Sequence, residues 1–263
     1  MTKHSIISRG IMALGLCTVF CLPSAATAQS LETGDHIVTL HFSTLDRKDQ
    51  DVTRDADTMM LSYGYQYAPK LRLLAFLGQI KTDNAFGADT QSTRTPTYGI
   101  GAQYQIGRGG TLTGTVIRGS ISEDFTSGGT TTTGDGDTTT LTLQFDQVVP
   151  LSQRTFLKGS AAASHSKTDF DGPSFSNDLT IKRHTVGLEA FHLVGDSWMV
   201  SAGLSRTWSD TIITITDAKH LNRARLSATY RFNEDFGATL AWTQALGAED
   251  THQRLDLSLT HRF

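Results

Sequence analysis

The feature that most restricts this fold is a two-residue alternation of apolar and polar side chains that returns about a dozen times along the chain. Tyr98, Ile100, Ala102, Tyr104 and Ile106 alternate with Gly99, Gly101, Gln103 and Gln105. Leu141, Leu143 and Phe145 alternate with Thr142, Gln144 and Asp146. Leu226, Ala228, Tyr230 and Phe232 alternate with Arg225, Ser227, Thr229 and Arg231. Successive side chains of a strand point to opposite faces, so each segment reads as a strand with one apolar and one polar face.

Twelve strands are predicted, the first over His36 to Leu45 and the last over Gln253 to Phe263. Their connections alternate in length. Ala68-Pro69-Lys70, Gly107 to Gly110, Pro150 to Arg154, Gly195-Asp196-Ser197 and Asn233-Glu234-Asp235 are tight and carry turn residues. Asp46 to Asp57, Lys81 to Thr95, Ser122 to Asp137, Lys167 to Arg183 and Ser209 to Leu221 read as long polar loops, while Gly247 to His252 on the same side is short. A water-soluble sandwich has no reason to sort its connections in this way, whereas a transmembrane barrel does. The expected fold is therefore all-β, an up-and-down antiparallel barrel occupying residues 29–263, with an even strand number that returns both ends to the tight-turn side. A closed barrel pairs every backbone polar group without a free edge, which lipid demands.

Parity then assigns the faces. Arg225 or Arg231 on the lipid face at mid-bilayer would cost about 2–4 kcal/mol each, so the polar set lines the lumen. Strand five is ambiguous around Arg118, and strand seven is weak in both parities. Tyr67, Tyr104, Phe145, Trp198, Phe232, Phe236 and Phe263 are expected near the tight-turn boundary, and Phe42, Tyr98, Trp208 and Trp242 near the other, as interfacial girdles.

The first residues have a separate logic. Lys3 and Arg9 precede an apolar run from Ile11 to Leu22, and Ala26-Thr27-Ala28 offers small residues for a signal peptidase. Cleavage is expected after Ala28. The run is short of the roughly 20 residues a membrane helix needs. Leu16 before Cys17 and Phe20 before Cys21 do not suit a lipid-modified cysteine. Both cysteines of the chain lie in this leader, so the mature barrel is expected to have no disulfide.

At the other end, Leu255, Leu257, Leu259 and Phe263 share one face, with Asp256, Ser258, Thr260 and Arg262 on the other. This stretch resembles the terminal strand of Gram-negative outer-membrane β-barrel proteins, over about ten residues. The resemblance implies an outer-membrane location, contact with membrane lipid, and recognition of the strand ending in Phe263 by the barrel-assembly machinery. No specific subfamily is indicated.

The polar face carries Asp146, Lys158, Glu189, Arg225, Arg231, Asp256 and Arg262 as candidate lumen-lining residues. Their mixed charge suits a channel or transport barrel passing small polar solutes by diffusion. Small inward residues, Gly99, Gly101, Ser160, Ser201 and Gly203, are expected to leave room for water. The alternative is a lumen closed by internal ion pairs, in a structural barrel that presents its external loops to a partner. An autotransporter-like translocator fits less well, since the first strand starts close to the expected cleavage point.

Catalysis is not expected. Asp55/Asp57, Asp135/Asp137 and Asp169/Asp171 lack the Asp-x-His partner of an omptin-like protease. His41 and Ser43 have the spacing of an outer-membrane phospholipase pair, but their parity points them into the lumen. Two aspartates in the 122–137 segment are too few for a calcium site, the histidines are scattered, and no cofactor is implied. A net charge of −3 offers no reason to expect a nucleic-acid partner.

Overall fold

The computed structural model describes residues 32–49, 52–172, 175–213, 218–247 and 251–263. The leader, its cysteines and the expected cleavage point after Ala28 lie outside the described residues.

Twelve strands follow one another around a closed barrel: β1 (His36–Asp49), β2 (Val52–Ala68), β3 (Leu71–Phe86), β4 (Asp89–Ile106), β5 (Gly110–Ser127), β6 (Thr130–Pro150), β7 (Thr155–Gly172), β8 (Phe175–Val194), β9 (Trp198–Ile213), β10 (Ala218–Arg231), β11 (Phe236–Leu246) and β12 (Thr251–Arg262). Each pairs antiparallel with its sequence neighbours, and β12 closes on β1 with Leu40 opposite Leu259 and Phe42 opposite Leu257. The backbone of His36 and Phe263 exchange hydrogen bonds at 2.8 and 3.0 Å, so both ends of the barrel chain meet at the tight-turn rim.

The alternation decides the faces because a one-residue slip would turn every side chain over. Leu141, Leu143, Leu226, Leu240 and Leu257 are exposed on the outside, while Thr140, Gln144, Thr229, Thr243 and Asp256 are buried inside. The two doubtful strands resolve. On β5, Arg118 points outward and Ile117 and Ile121 inward, with Ile121 among the most buried side chains. On β7, Lys158, Ser164, Ser166 and Thr168 face inward. Its weak signal comes from Ala161-Ala162-Ala163, which suits either face.

The lumen is not wholly polar. Met60, Leu74 and Phe76 form a buried apolar cluster on the inner side of β2 and β3.

The segments expected as long loops are mostly strand. β5 and β6 stay paired from Gly110 opposite Gln147 to Ser127 opposite Thr130, and turn through Gly128 and Gly129 at positive φ. β3 and β4 likewise run to Phe86 opposite Asp89. Between β3 and β4 and between β5 and β6 tight hairpins replace the expected loops, and the strand extensions raise one wall of the barrel: β6 has 21 residues and β11 has 11. Polar residues occupy both faces in these extensions, so alternation of hydropathy could not reveal them, although threonine supplies the strand propensity.

Aromatic side chains gather at the tight-turn rim. His36 stacks on Phe263 at 5.5 Å, Phe232 on Phe236 at 5.0 Å, and Trp198 meets Tyr230 at 4.8 Å. Nearer the far end, Tyr98 and Trp208 are exposed on the outer face, and Arg206 lies 5.3 Å over the Trp208 ring.

Candidate functional site: the charged lumen

Five of the seven candidate lumen residues form one run of alternating charge near the middle of the barrel. Lys158 on β7 is opposite Glu189 on β8 in the strand register. Its Nζ stands 4.0 Å from Asp146 Oδ1 on β6 and 3.8 Å from Glu189 Oε2. Arg225 on β10 continues the run, with Nε 3.9 Å from Glu189 Oε1 and Nη1 donating to Asp256 Oδ2 at 3.2 Å. Asp256 also receives Arg254 at 3.1 Å and has His41 Nε2 at 3.6 Å. The ladder thus spans the inner wall from β6 to β1.

Arg231 and Arg262 stand apart from it, at the tight-turn rim. Arg231 is exposed and donates to the carbonyl of Asp196 at 2.8 Å. Arg262 pairs with Asp35 at 2.7 Å.

Burial along the ladder is uneven, which bears on its strength. The side chains of Asp146 and Lys158 are each 5% exposed, whereas that of Arg225 is 26% exposed. Gln144 donates to one oxygen of Asp146 at 2.8 Å, and the other oxygen has no hydrogen-bond partner. At 4.0 Å the Lys158 contact with that oxygen is Coulombic rather than a hydrogen bond. Lys158 also lies 5.9 Å from the centre of the Phe191 ring.

The small inward residues do not simply leave room for water, which corrects the sequence expectation. A Cβ on Gly203 would lie 3.0 Å from Cβ and Cγ of Glu189, so the Glu189 stem rests over this position. Ser201 Oγ donates to Glu189 Oε1 at 2.6 Å and shares a hydrogen bond with Ser227. A Cβ on Gly99 or Gly101 would come within 2.8 Å of Ile117 or Thr115, and one on Gly187 within 2.7 Å of Ser160 Oγ. Their smallness accommodates the neighbouring strand's side chains.

A second set of charges, outside the sequence-predicted candidates, lies toward the far end, beyond the outer apolar belt. Arg47 of β1 is opposite both Arg54 of β2 and His252 of β12. Arg54 Nε donates to Asn84, Asn84 to Gln91 at 2.9 Å, and Gln91 to Glu123 at 2.7 Å. This relay crosses four strands with every member buried. Burial, then the charge of Arg47, lowers the Arg54 pKa to about 10. Burial raises that of Glu123, against the Gln91 hydrogen bond. His252 is drawn down to about 3 by burial and by the charges of Arg223, Arg47 and Arg254. Arg47, Arg54 and Arg183 lie in segments whose sequence reads as polar loop. Arg223 could have been found, because it shares the parity of Arg225.

His41 and Ser43 face the lumen, as their parity implied. His41 Nδ1 is 2.9 Å from Ser258 Oγ, and Ser43 is buried. Asp135 and Asp137 are exposed on β6, opposite Asp171 and Asp169, in strand rather than a loop. Among the described residues no group of three or more His, Cys, Asp or Glu could hold a metal ion.

No family model matches the chain, and no curated protein matches it either. Solved structures do resemble it in form. The translocator domain of the autotransporter NalP from Neisseria meningitidis superposes with a TM-score of 0.73 at 16% identity, covering 88% of this chain and 90% of that one. The β domain of the Bordetella autotransporter BrkA gives 0.69 at 12% identity, over 88% of this chain and 100% of that one. A FadL homologue of Pseudomonas aeruginosa gives 0.52 at 11% identity, over 91% and 94%. At such identities the likeness is one of fold: a closed barrel of the outer-membrane type.

Proposed function

We propose that the protein is a small outer-membrane channel through which small polar solutes diffuse, with the tight turns in the periplasm and the long hairpins outside. The observation that carries this reading is the partial exposure of charged groups at mid-lumen. Arg225 and His41 keep 26% and 20% of their side-chain surface while facing inward. Space for water therefore lies beside these groups along the β10–β1 wall. The exposed aliphatic band outside supports a membrane setting, and Phe263 at the end of the terminal strand suits recognition by the barrel-assembly machinery.

A second reading has its own support. The ladder joins β6 to β1 through three carboxylates, of which Asp146 and Asp256 are almost wholly buried, as expected of a closed scaffold. Single-channel recording in planar bilayers separates the two. Stable conducting steps support the channel. A correctly folded, heat-modifiable protein that never conducts would overturn it and leave the scaffold.

A further inference from the structure

We propose that a groove on the outer wall, across β8 to β11, binds an anionic lipid whose phosphate sits on Arg206 and whose acyl chain lies in the groove. The occupant comes from the leaflet at the far end of the barrel. With the tight turns in the periplasm, as proposed above, that leaflet is the external one. The inference rests on this membrane setting and does not depend on conduction.

The strand register assembles the site. Val186, Arg206, Asn222 and Leu246 form one cross-strand row over β8, β9, β10 and β11. Leu188 and Leu204 pair in the next outward-facing row toward the tight turns. These six side chains line a groove of about 540 Å³ that reaches Gly247 at the end of β11. Its volume lies in the range of clefts that hold small molecules. β11 is the shortest strand, so the wall is low here and a headgroup has room above the rim.

Arg206 is out of place on a lipid-facing surface unless an anion meets it. Its outward neighbours along β9 are Leu204 and Trp208, both exposed. Arg206 lies two residues nearer the bilayer middle than Trp208, and charge on the lipid face becomes more costly in that direction. The guanidinium stands 5.3 Å over the Trp208 ring, so the side chain reaches back toward headgroup level. Stacking uses the face of the guanidinium and not its edge. The paired N–H donors at that edge suit the oxygens of a phosphate.

Charge complementarity identifies the occupant. Among the described residues no carboxylate pairs with Arg206. β10 and β11 carry no acidic residue. The one acid of β9, Asp210, stands beyond Trp208 and accepts the backbone N–H of Lys182 at 2.8 Å. On β8, Glu189 faces the lumen beside Arg225, and Asp178 lies opposite Asp169 on the tall hairpin. A lipid supplies what the wall lacks: a phosphate at headgroup level above chains that match Val186, Leu188, Leu204 and Leu246. Asn222, opposite Arg206, offers an amide that can donate to a second phosphate oxygen. A soluble anion would gain nothing from the leucines, and a neutral lipid nothing from Arg206.

The test reads tryptophan quenching by lipids with brominated acyl chains. The mature barrel carrying Trp198→Phe is reconstituted in phosphatidylcholine vesicles. Trp208, beside Arg206, and Trp242, on the outer face of β11, remain as emitters. A small fraction of the lipid is replaced by brominated phosphatidic acid or, separately, by brominated phosphatidylcholine. Phosphatidic acid should quench at the lower fraction, with an apparent affinity about tenfold higher. Arg206→Gln should bring the two lipids to equal affinity, and Arg206→Lys, which keeps the charge but loses the donor fork, should retain part of the preference. Arg118→Gln, on the outer face of β5, should leave it unchanged.

Equal quenching by the two lipids while Arg206 is present overturns the inference, and that comparison needs no variant at position 206. A preference that survives Arg206→Gln overturns it too, because a general attraction of acidic lipid to the barrel would then account for it. A silent barrel that prefers phosphatidic acid through Arg206 keeps the site and overturns the channel. A conducting barrel without the preference keeps the channel and overturns the site.

Discussion

Removing Lys158 should reveal how dry the ladder is. In Lys158→Met the stem volume is largely kept and the charge is lost. Asp146 then has no cation within ion-pair distance among the described residues, at 5% exposure and with one oxygen lacking a hydrogen bond. At about 4 Å and an effective dielectric near 20, a contact of this kind contributes about 4 kcal/mol before desolvation is counted. Breaking a buried pair from one side typically costs about 3–5 kcal/mol, because the abandoned charge remains buried. Glu189 loses less, since it keeps Arg225 at 3.9 Å and Ser201 at 2.6 Å. Most of the loss therefore sits on Asp146, and adding Asp146→Asn should restore most of it.

The assay is equilibrium urea unfolding in lipid vesicles, followed by the emission of Trp198, Trp208 and Trp242, with stabilities from linear extrapolation. The expected loss for Lys158→Met is about 3–5 kcal/mol, with a coupling to Asp146 of about 2 kcal/mol or more in the double-mutant cycle. A loss under about 1 kcal/mol, typical of exposed pairs, would refute the reasoning. So would an Asp146→Asn change that restores nothing. Either result would mean that water surrounds this part of the ladder and screens it.

Three further outcomes follow from the same geometry. His252 has a folded-state pKa near 3 against an ordinary 6.5, so the unfolded chain takes up the proton first. Its contribution to stability is fully present above pH 6.5 and is lost as pH falls toward 3; wild-type protein should lose more stability over that window than His252→Gln, measured by the same unfolding assay. Gly203→Val would drive a branched side chain into the Glu189 stem, 3.0 Å from the position of an added Cβ, and should cost about 1–3 kcal/mol. Arg225→Glu should change ion selectivity in planar bilayers because it alters the mid-lumen charge, whereas Arg231→Glu, at an exposed rim hydrogen bond, should change it far less.

How much of this was legible beforehand depends on what kind of information each feature needs. Facing direction needs only parity, and parity placed Asp146, Lys158, Glu189, Arg225 and Asp256 on the inner wall. That Lys158 stands between Asp146 and Glu189 needs the register of β6, β7 and β8, which no local pattern encodes. The tall hairpins were illegible for a different reason. Outside the membrane both faces of a strand meet polar surroundings, so the apolar alternation that marks a membrane strand has no cause to persist. Thr130 to Asp137, rich in Thr, Gly and Asp, looks like a solvated loop and is strand. Arg47, Arg54 and Arg183 were lost with those segments. Asp35, the partner of Arg262, lies just before the first predicted strand, where parity assigns no face.

The two charged layers differ in how their charges are arranged. In the ladder each cation lies between carboxylates, so the fields largely cancel at a distance and the arrangement serves cohesion between strands. In the far layer Arg54, Arg47 and His252 follow one another in the strand register, and Arg223 lies one alanine position further on, so this row is built of basic side chain types rather than of alternating charge. One register places both, since the β1–β12 pairing that sets His41 opposite Ser258 also sets Arg47 opposite His252. A one-residue slip of β12 would expose Asp256 and His252 outside and bring Leu255 and Leu257 into the lumen, dismantling both charged layers together. The closure that completes the barrel is therefore the same step that assembles its charge.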